Sequence, residues 1–399
     1  MKFVLAGYGS RGDVEPCAAV GRELLRRGHD VRMAAPPNML DFVESAGFAA
    51  VAYGPDSREE MNPAAGLFRN LLPKFQNPIS ALPEVIAHVG QVKMEKGATL
   101  TSLADGADLL LAGFNEQGLA ANVAEYYGIP LAVLHFFPAR IWSSWGLFSA
   151  ITKQTEDAQR RVLGLPEATE APTRSLEIQA YDEFCLPGPA AEWVESDGQR
   201  LFVGALTLEL PTDADDEVLS WIADGTPPVY FGFGSTPVTP LDDTVAMINA
   251  ACAQLGERAL ICSGPNDLTD TPHFDHVKIV GSVNHAAVFP ACRAVVHHGG
   301  AGTTAAAMRA GIPMLILWLW MDQPMWAAAV ERLEVGSGRQ FLATTQESLV
   351  ADLRAILTPH CVARAREVAA RMTKTAQSVA SAADLVEDTA SGQRSARFV

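Results

Sequence analysis

His297-His298-Gly299-Gly300-Ala301-Gly302-Thr303-Thr304 lies behind the apolar run Ala294-Val295-Val296 and ahead of a helical run, Ala305 to Ala310. The order is strand, glycine-rich turn, helix. Glycines let a backbone approach a ligand closely and adopt dihedrals closed to other residues. The helix start adds unpaired N–H groups and a partial positive charge, which together favour an anion, most naturally a phosphate. Thr303 and Thr304 add hydroxyl donors, and His298 is the candidate phosphate donor. His297 still belongs to the strand and reads as a core histidine. Adjacent residues on a strand point apart, so the pair is a poor metal site.

Working outward, the same grammar of buried strand and helix recurs on both sides. In the second half, Val229 to Phe233, Ala259 to Cys262, Val277 to Val280 and Met314 to Leu317 read as strands, with a helix from Asp243 to Leu255. The first half offers Phe3 to Ala6, Val31 to Ala35, Ala50-Val51, Leu109 to Ala112 and Leu131 to Leu134, with helices near Cys17 to Arg27, Phe42 to Ala46 and Gly118 to Tyr127. Strands alternating with helices predict parallel, doubly wound sheets. A polar, acidic, proline-bearing stretch separates the halves. The expected organisation is an acceptor-side domain over 1–208, a linker over 209–220, a second domain over 221–376, and a C-terminal helix with a frayed tail over 377–399. Two such domains would face one another across a cleft, with ligands at the carboxyl ends of the strands.

The first strand runs into Gly7-Tyr8-Gly9-Ser10-Arg11-Gly12-Asp13. This is formally a G-x-G-x-x-G loop, the mark of a dinucleotide site. Two features oppose that reading. The second strand ends Ala34-Ala35-Pro36 where a ribose-binding acid is required, and Asp13 would repel a pyrophosphate at the helix start. Asp13 is then either a helix N-cap or a general base that takes a proton from a hydroxyl nucleophile. In the second half, Gly234-Ser235-Thr236 is another strand-end turn, where Ser235 either donates to a phosphate or simply shapes the turn. Asp322 and Gln323 set an acid and an amide side by side at a strand end, a pairing suited to sugar hydroxyls; the competing reading is an N-cap Asp before Pro324. Phe136, Phe137, Trp142 and Trp145 form an aromatic patch that is either core or the wall of an apolar acceptor pocket.

Composition narrows the classes. A chain of 399 residues exceeds one ordinary core, so two domains are expected. A net charge of −16 argues against a nucleic-acid partner and against electrostatic docking to an anionic membrane. The 6 cysteines form no C-x-x-C pair, so neither a metal nor a redox site is expected. The apolar start is too short for a signal peptide, and Gly311 to Met321 is too short for a membrane span. The expected location is the cytoplasm.

As a set, these motifs resemble the nucleotide-sugar-dependent, GT1-like glycosyltransferases of the GT-B arrangement, from Met1 to about Asp388. The likeness is greatest to the actinobacterial branch that serves glycopeptide antibiotics and mycobacterial glycopeptidolipids. Sterol glucosyltransferases share similar loops. The resemblance implies a donor nucleotide on the second domain, with its diphosphate held by Ser235 and by the loop of His298, Gly300, Gly302 and Thr303. It further implies that Val283 and Asn284 meet the base and that Asp322 and Gln323 contact the donor sugar. Asp13 falls where this branch carries its catalytic base, with Ser10 assisting, and Phe136, Phe137, Trp142 and Trp145 would line the acceptor side.

The implied reaction is inverting and metal-independent. It moves a hexosyl group, of the 6-deoxyhexosyl (rhamnosyl) type, from a dTDP- or UDP-sugar to a hydroxyl of a hydrophobic or lipopeptide acceptor. The nucleotide-sugar is a co-substrate and there is no further cofactor. A peripheral membrane contact to reach a lipid acceptor, and a monomer or homodimer, accompany this reading. A sterol or lipid glucosyltransferase using UDP-glucose is the alternative within the class. A sugar-nucleotide epimerase, a non-catalytic sugar-nucleotide binder and an NAD-dependent oxidoreductase are the alternatives outside it.

Overall fold

Runs such as Leu109-Leu110-Leu111-Ala112 carry no polar side, so they persist only where both sheet faces are covered. The computed structural model, which describes residues 1–61, 78–138, 146–167, 175–187, 201–234, 241–264 and 274–392, buries this strand along its whole length. The first sheet contains β1 (Lys2–Ala6), β2 (Asp30–Ala35), β3 (Ala49–Ala52), β4 (Leu109–Gly113), β5 (Leu131–His135), β6 (Leu176–Gln179) and β7 (Leu201–Phe202). All pairings are parallel, in the order β3-β2-β1-β4-β5-β6-β7. Its helices include α1 (Arg11–Arg26), α2 (Leu40–Ser45), α3 (Ser57–Met61), α4 (Pro78–Leu103), α5 (Gln117–Tyr127) and α6 (Gly146–Leu163).

The second sheet holds β8 (Val229–Gly232), β9 (Ala259–Cys262), β10 (Val277–Val280), β11 (Ala294–His297), β12 (Met314–Trp318) and β13 (Gly336–Gln340). It is also all parallel, in the order β10-β9-β8-β11-β12-β13. Its helices include α7 (Asp215–Ala223), α8 (Leu241–Leu255), α9 (His285–Val288), α10 (Ala301–Ala310), α11 (Gln323–Arg332), α12 (Gln346–Ile356) and α13 (Pro359–Ala369). In each sheet the strand order reverses direction once, between β1 and β4 and between β8 and β11. Such a switch point opens a crevice at the strands' carboxyl ends.

Contacts divide the chain into two compact units. The first contains Met1–Tyr181, Pro187–Leu208 and Thr375–Val399; the second contains Asp182–Leu186 and Glu209–Lys374. Helix α7 begins inside the stretch read from sequence as a linker. Strands β6, β7 and β13 were not expected from the sequence. The last helix, α14 (Thr375–Ala390), is held to the first unit by Arg27, which pairs with Asp384 and Glu387, and by His29, whose Nε2 lies 2.5 Å from Glu387. Among the described residues no helix is long and apolar enough to cross a membrane.

A buried ion pair lies beneath the β1 loop. Lys96 Nζ donates to Glu116 Oε1 at 2.6 Å, and their side chains are 6% and 2% exposed. Tyr53 donates its hydroxyl to Glu116, and the Lys96 ammonium stands 3.9 Å from the centre of the Tyr8 ring. Removing one partner strands the other charge away from water. Lys96→Met is therefore expected to destabilise the protein by about 3–5 kcal/mol in urea unfolding, and Lys96→Met/Glu116→Leu to recover most of that loss.

Candidate active site

The crevice at the β1/β4 switch point takes its residues from the two loops that leave these strands. Ser10 is the N-cap of α1, and Asp13 occupies the third helical position, so the N-cap reading of Asp13 is corrected. Asp13 Oδ2 accepts from the Ser10 backbone N–H at 2.7 Å and from Ser10 Oγ at 2.9 Å. Asp13 Oδ1 accepts from Asn115 Nδ2 at 3.0 Å. Gly9 makes this packing feasible: its φ is +134°, and a Cβ there would stand 2.4 Å from Asp13 Oδ2. Ser10 thus orients the carboxylate with both of its donors.

Asp13 keeps some solvent access but is surrounded by protein on most sides. That burial pushes its carboxyl up to about 6, against the lowering effect of the Ser10 hydrogen bonds; the nearby Glu116 charge raises it further. A group titrating there is ionised at neutral pH and still basic enough to take a proton. Asn115 was not anticipated from the sequence. Only the pairing of β1 with β4, register Ala6 with Ala112, brings it to Asp13.

The aromatic residues divide. The Phe137 ring is fully buried and packs edge-on against Phe114, with centroids 4.8 Å apart, so it stiffens the wall and presents no surface to an acceptor. Phe136 is half-buried against the same Phe114 ring at 5.1 Å. Trp142 and Trp145 lie outside the described residues, as does Ser235.

The second crevice, at β8/β11, holds the histidine–glycine loop. Gly300 is the N-cap of α10, so Gly302 and Thr303 lie in the first turn of the helix and not in the loop. The backbone N–H groups of this turn have no partner within the helix. The Thr304 hydroxyl is corrected as a ligand donor: it is buried and donates to the Gly300 carbonyl at 2.9 Å. Thr303 keeps partial exposure. The His298 ring is wedged between two glycine backbones. A Cβ on Gly234 would stand 2.7 Å from its Cε1, and one on Gly300 2.5 Å from its Nε2. Burial pushes His298 down to about 4, against the raising effect of a hydrogen bond to the Gly232 backbone, so at neutral pH it is an uncharged imidazole. His297 is wholly buried, and its Nδ1 accepts the Gly299 N–H at 3.1 Å, which fixes the turn.

Around this loop, the Val283 side chain is buried, so any ligand contact there is through its backbone. Asn284 caps α9 by accepting the Ala286 N–H at 3.1 Å, and its own N–H donates to Asp215 Oδ1 at 2.8 Å. Asp215, in the stretch read as a linker, also accepts from Thr212, and so moors the segment that carries Val283 and Asn284. Asp322 is the N-cap residue of α11 and accepts from Trp326 Nε1 at 3.1 Å. Gln323 is buried, with Oε1 committed to the Leu319 and Trp320 N–H groups at 2.8 and 3.2 Å, so its carbonyl shapes the loop. Trp320 and Met321 are exposed beside Asp322, and Met321 has a φ of 60°. Among the described residues no group of three His, Cys, Asp or Glu side chains could hold a metal ion.

Two doubly wound units, one with a hydrogen-bonded carboxylate and the other with a glycine-rich helix start at its switch point, give the α/β pattern of the GT-B architecture. The Glycosyltransferase family 28 N-terminal domain matches residues 3–140, and the erythromycin biosynthesis protein CIII-like C-terminal domain matches residues 250–391. An uncharacterized glycosyltransferase of Mycobacterium leprae is 59% identical over 420 residues, covering 99% of this chain and 98% of its own. The vancomycin aglycone glucosyltransferase of Amycolatopsis orientalis is 30% identical over 399 residues, covering 92% and 93%. The structure of the spinosyn rhamnosyltransferase SpnG is similar in fold at a TM-score of 0.71 and 20% identity, covering 96% and 99% of the two chains. That of glycosyltransferase VinC in complex with dTDP reaches 0.67 at 20% identity, covering 98% and 100%. The chain belongs to the GT1-like glycosyltransferases of the GT-B fold.

Proposed function

We propose that this glycosyltransferase is inverting and moves a hexosyl group, of the 6-deoxyhexosyl type, from a dTDP- or UDP-sugar to a hydroxyl of a hydrophobic acceptor. The observation that carries this reading is the held Asp13 carboxylate, raised to about 6 at the mouth of the β1/β4 crevice. Asp13 takes the proton of the acceptor hydroxyl, and the oxygen attacks the anomeric carbon in line. The bond to the diphosphate breaks, and its electron pair leaves with the nucleoside diphosphate. The α10 N-terminus, the neutral His298 and Thr303 stabilise that leaving charge, with Ser235 expected beside them. In this reading Asp322 and the amide nitrogen of Gln323 face the sugar, the Gln323 carbonyl being held by the loop, and the segment of Val283 and Asn284 faces the base. The step is proposed as metal-independent, so activity is expected to survive EDTA.

A dTDP donor is supported by likeness to a transferase solved with dTDP, a deoxyhexose by likeness to a rhamnosyltransferase, and a bulky acceptor by likeness to a vancomycin aglycone glucosyltransferase. A glycopeptidolipid-like acceptor, reached by a cytoplasmic enzyme at a membrane face, fits the same reading. Calorimetric titration of TDP, UDP and NAD against the protein and its His298→Ala/Thr303→Ala variant tests it. Binding of TDP or UDP, lost in the variant, is expected. Binding of NAD alone, unaffected by the variant, would overturn the transferase reading.

The pH profile has a predicted sign. Asp13 must be ionised to act, so kcat is expected to fall as pH drops through about 6 and to level off above it. A profile flat from pH 5 to 8 would exclude a base with this pKa.

A further inference from the structure

We propose that Asp13 Oδ1 is the atom that receives the acceptor's proton and that Asn115 is the positioning residue that presents it. The inference rests on the reading of Asp13 as the base and goes beyond it. A carboxylate oxygen has two lone-pair directions. On Oδ2 both are taken, by the Ser10 N–H at 2.7 Å and the Ser10 hydroxyl at 2.9 Å. Oδ1 accepts a single hydrogen bond, from Asn115 Nδ2 at 3.0 Å, which leaves one lone pair for an incoming hydroxyl. The carboxylate is therefore clamped on one oxygen by its own helix start. On the other it is clamped by an amide delivered across the switch point.

Asn115 is itself held in place. It follows Phe114, whose ring packs on Phe136 and Phe137. It precedes Glu116, which Lys96 and Tyr53 anchor in the interior. The Asn115 side chain is exposed, so it is not a packing element. An amide also suits the task. It donates to the carboxylate without adding a charge, whereas an acid there would repel Asp13 and a lysine would neutralise it. Glu116 is the charged group near Asp13 on this loop. In the step, the acceptor O–H bond breaks as the Oδ1–H bond forms. The acceptor oxygen bonds to the anomeric carbon, and the sugar–diphosphate bond breaks with its electron pair on the phosphate.

Asn115→Ala, Asn115→Asp and Asp13→Asn test the inference on the full-length protein. Turnover is followed over pH 5 to 9 with dTDP-rhamnose and UDP-glucose and two acceptors, an aliphatic alcohol and 4-methylumbelliferone, a phenol partly ionised in this range. TDP affinity and Tm are measured in parallel. Asn115→Ala is expected to lower kcat for the alcohol by about tenfold or more and to move the acid limb upward, because a donor that favours the ionised carboxylate is gone. TDP affinity and Tm should hold, and the deficit should shrink with the phenol as it ionises. Asn115→Asp should move the limb further up, since two carboxylates then share the site. Wild-type kcat and limb in Asn115→Ala, with Asp13→Asn inactive, would overturn the inference alone. Full alcohol turnover in Asp13→Asn would overturn the base reading beneath it. Loss of TDP affinity or of Tm in Asn115→Ala would make its role structural and also overturn the inference.

Discussion

Asp13→Asn is expected to lower kcat for an alcohol acceptor by about 10²–10⁴-fold while leaving TDP affinity unchanged. The substitution keeps the side-chain volume, and its remaining oxygen still accepts from Ser10. Gly9, whose Cβ-free backbone the carboxyl packs against, is undisturbed. What goes is the basic oxygen. In the proposed reading nucleotide binding belongs to groups of the other unit, so calorimetry with TDP separates lost chemistry from lost binding. Stability has a predicted direction too. A carboxyl whose folded pKa, about 6, lies above its unfolded one is bound to its proton more tightly in the native state. Stability from this group is therefore highest at acid pH and falls as pH rises toward 6. At pH 7 the ionised Asp13 is a net burden, and Asp13→Asn should melt at or above the wild-type Tm. A variant that is inactive and equally stable would mark Asp13 as functional. A turnover within a few-fold of wild type would remove it as the base.

The second large effect is expected at Gly300. Its φ of −62° is open to any residue, so Gly300→Ala introduces no backbone strain. The added methyl, however, would stand 2.5 Å from His298 Nε2, which must move. If His298 donates to the diphosphate, Gly300→Ala should weaken TDP binding about as much as His298→Ala does. A hydrogen bond to a charged group is worth about 1.5–3 kcal/mol, or roughly 10–150-fold in Kd. The double variant should then be little worse than either single one, because both remove the same contact. Additive losses would mean that Gly300 and His298 act separately. Unchanged TDP affinity in both would remove the histidine from the donor site.

Both crevices could be placed from the sequence because each follows an apolar strand with a glycine turn. The central strands were legible for the same reason: a strand covered on both faces is an uninterrupted apolar run. β13, Gly336-Ser337-Gly338-Arg339-Gln340, carries no such run. Its glycines answer to neighbours instead: a Cβ on Gly336 would lie 1.8 Å from the Met314 carbonyl oxygen, and one on Gly338 2.5 Å from Ala327 Cβ. No local reading supplies that information. Helix α1 begins at Arg11, six residues ahead of the Cys17 that the sequence suggests, because Gly12 and Pro16 are poor helix formers and hide its first turn. The bonds from Ser10 to Asp13 offset them and let the helix begin at Arg11. Asn115 and Asp215 escaped for a topological reason. One reaches its partner across adjacent strands 102 residues apart, and the other across 69 residues from an acidic stretch that resembled a spacer.

The two crevices titrate on different scales, Asp13 near 6 and His298 near 4. Between these values the donor-side imidazole is unchanged from its neutral-pH form, while the carboxyl has taken up its proton. At about pH 5 the enzyme should therefore bind sugar nucleotide and acceptor as before but turn them over about tenfold more slowly. Acidity would serve as a reversible brake: a complex of native residues and true substrates, slowed about tenfold at pH 5 and returned to full turnover by a jump in pH.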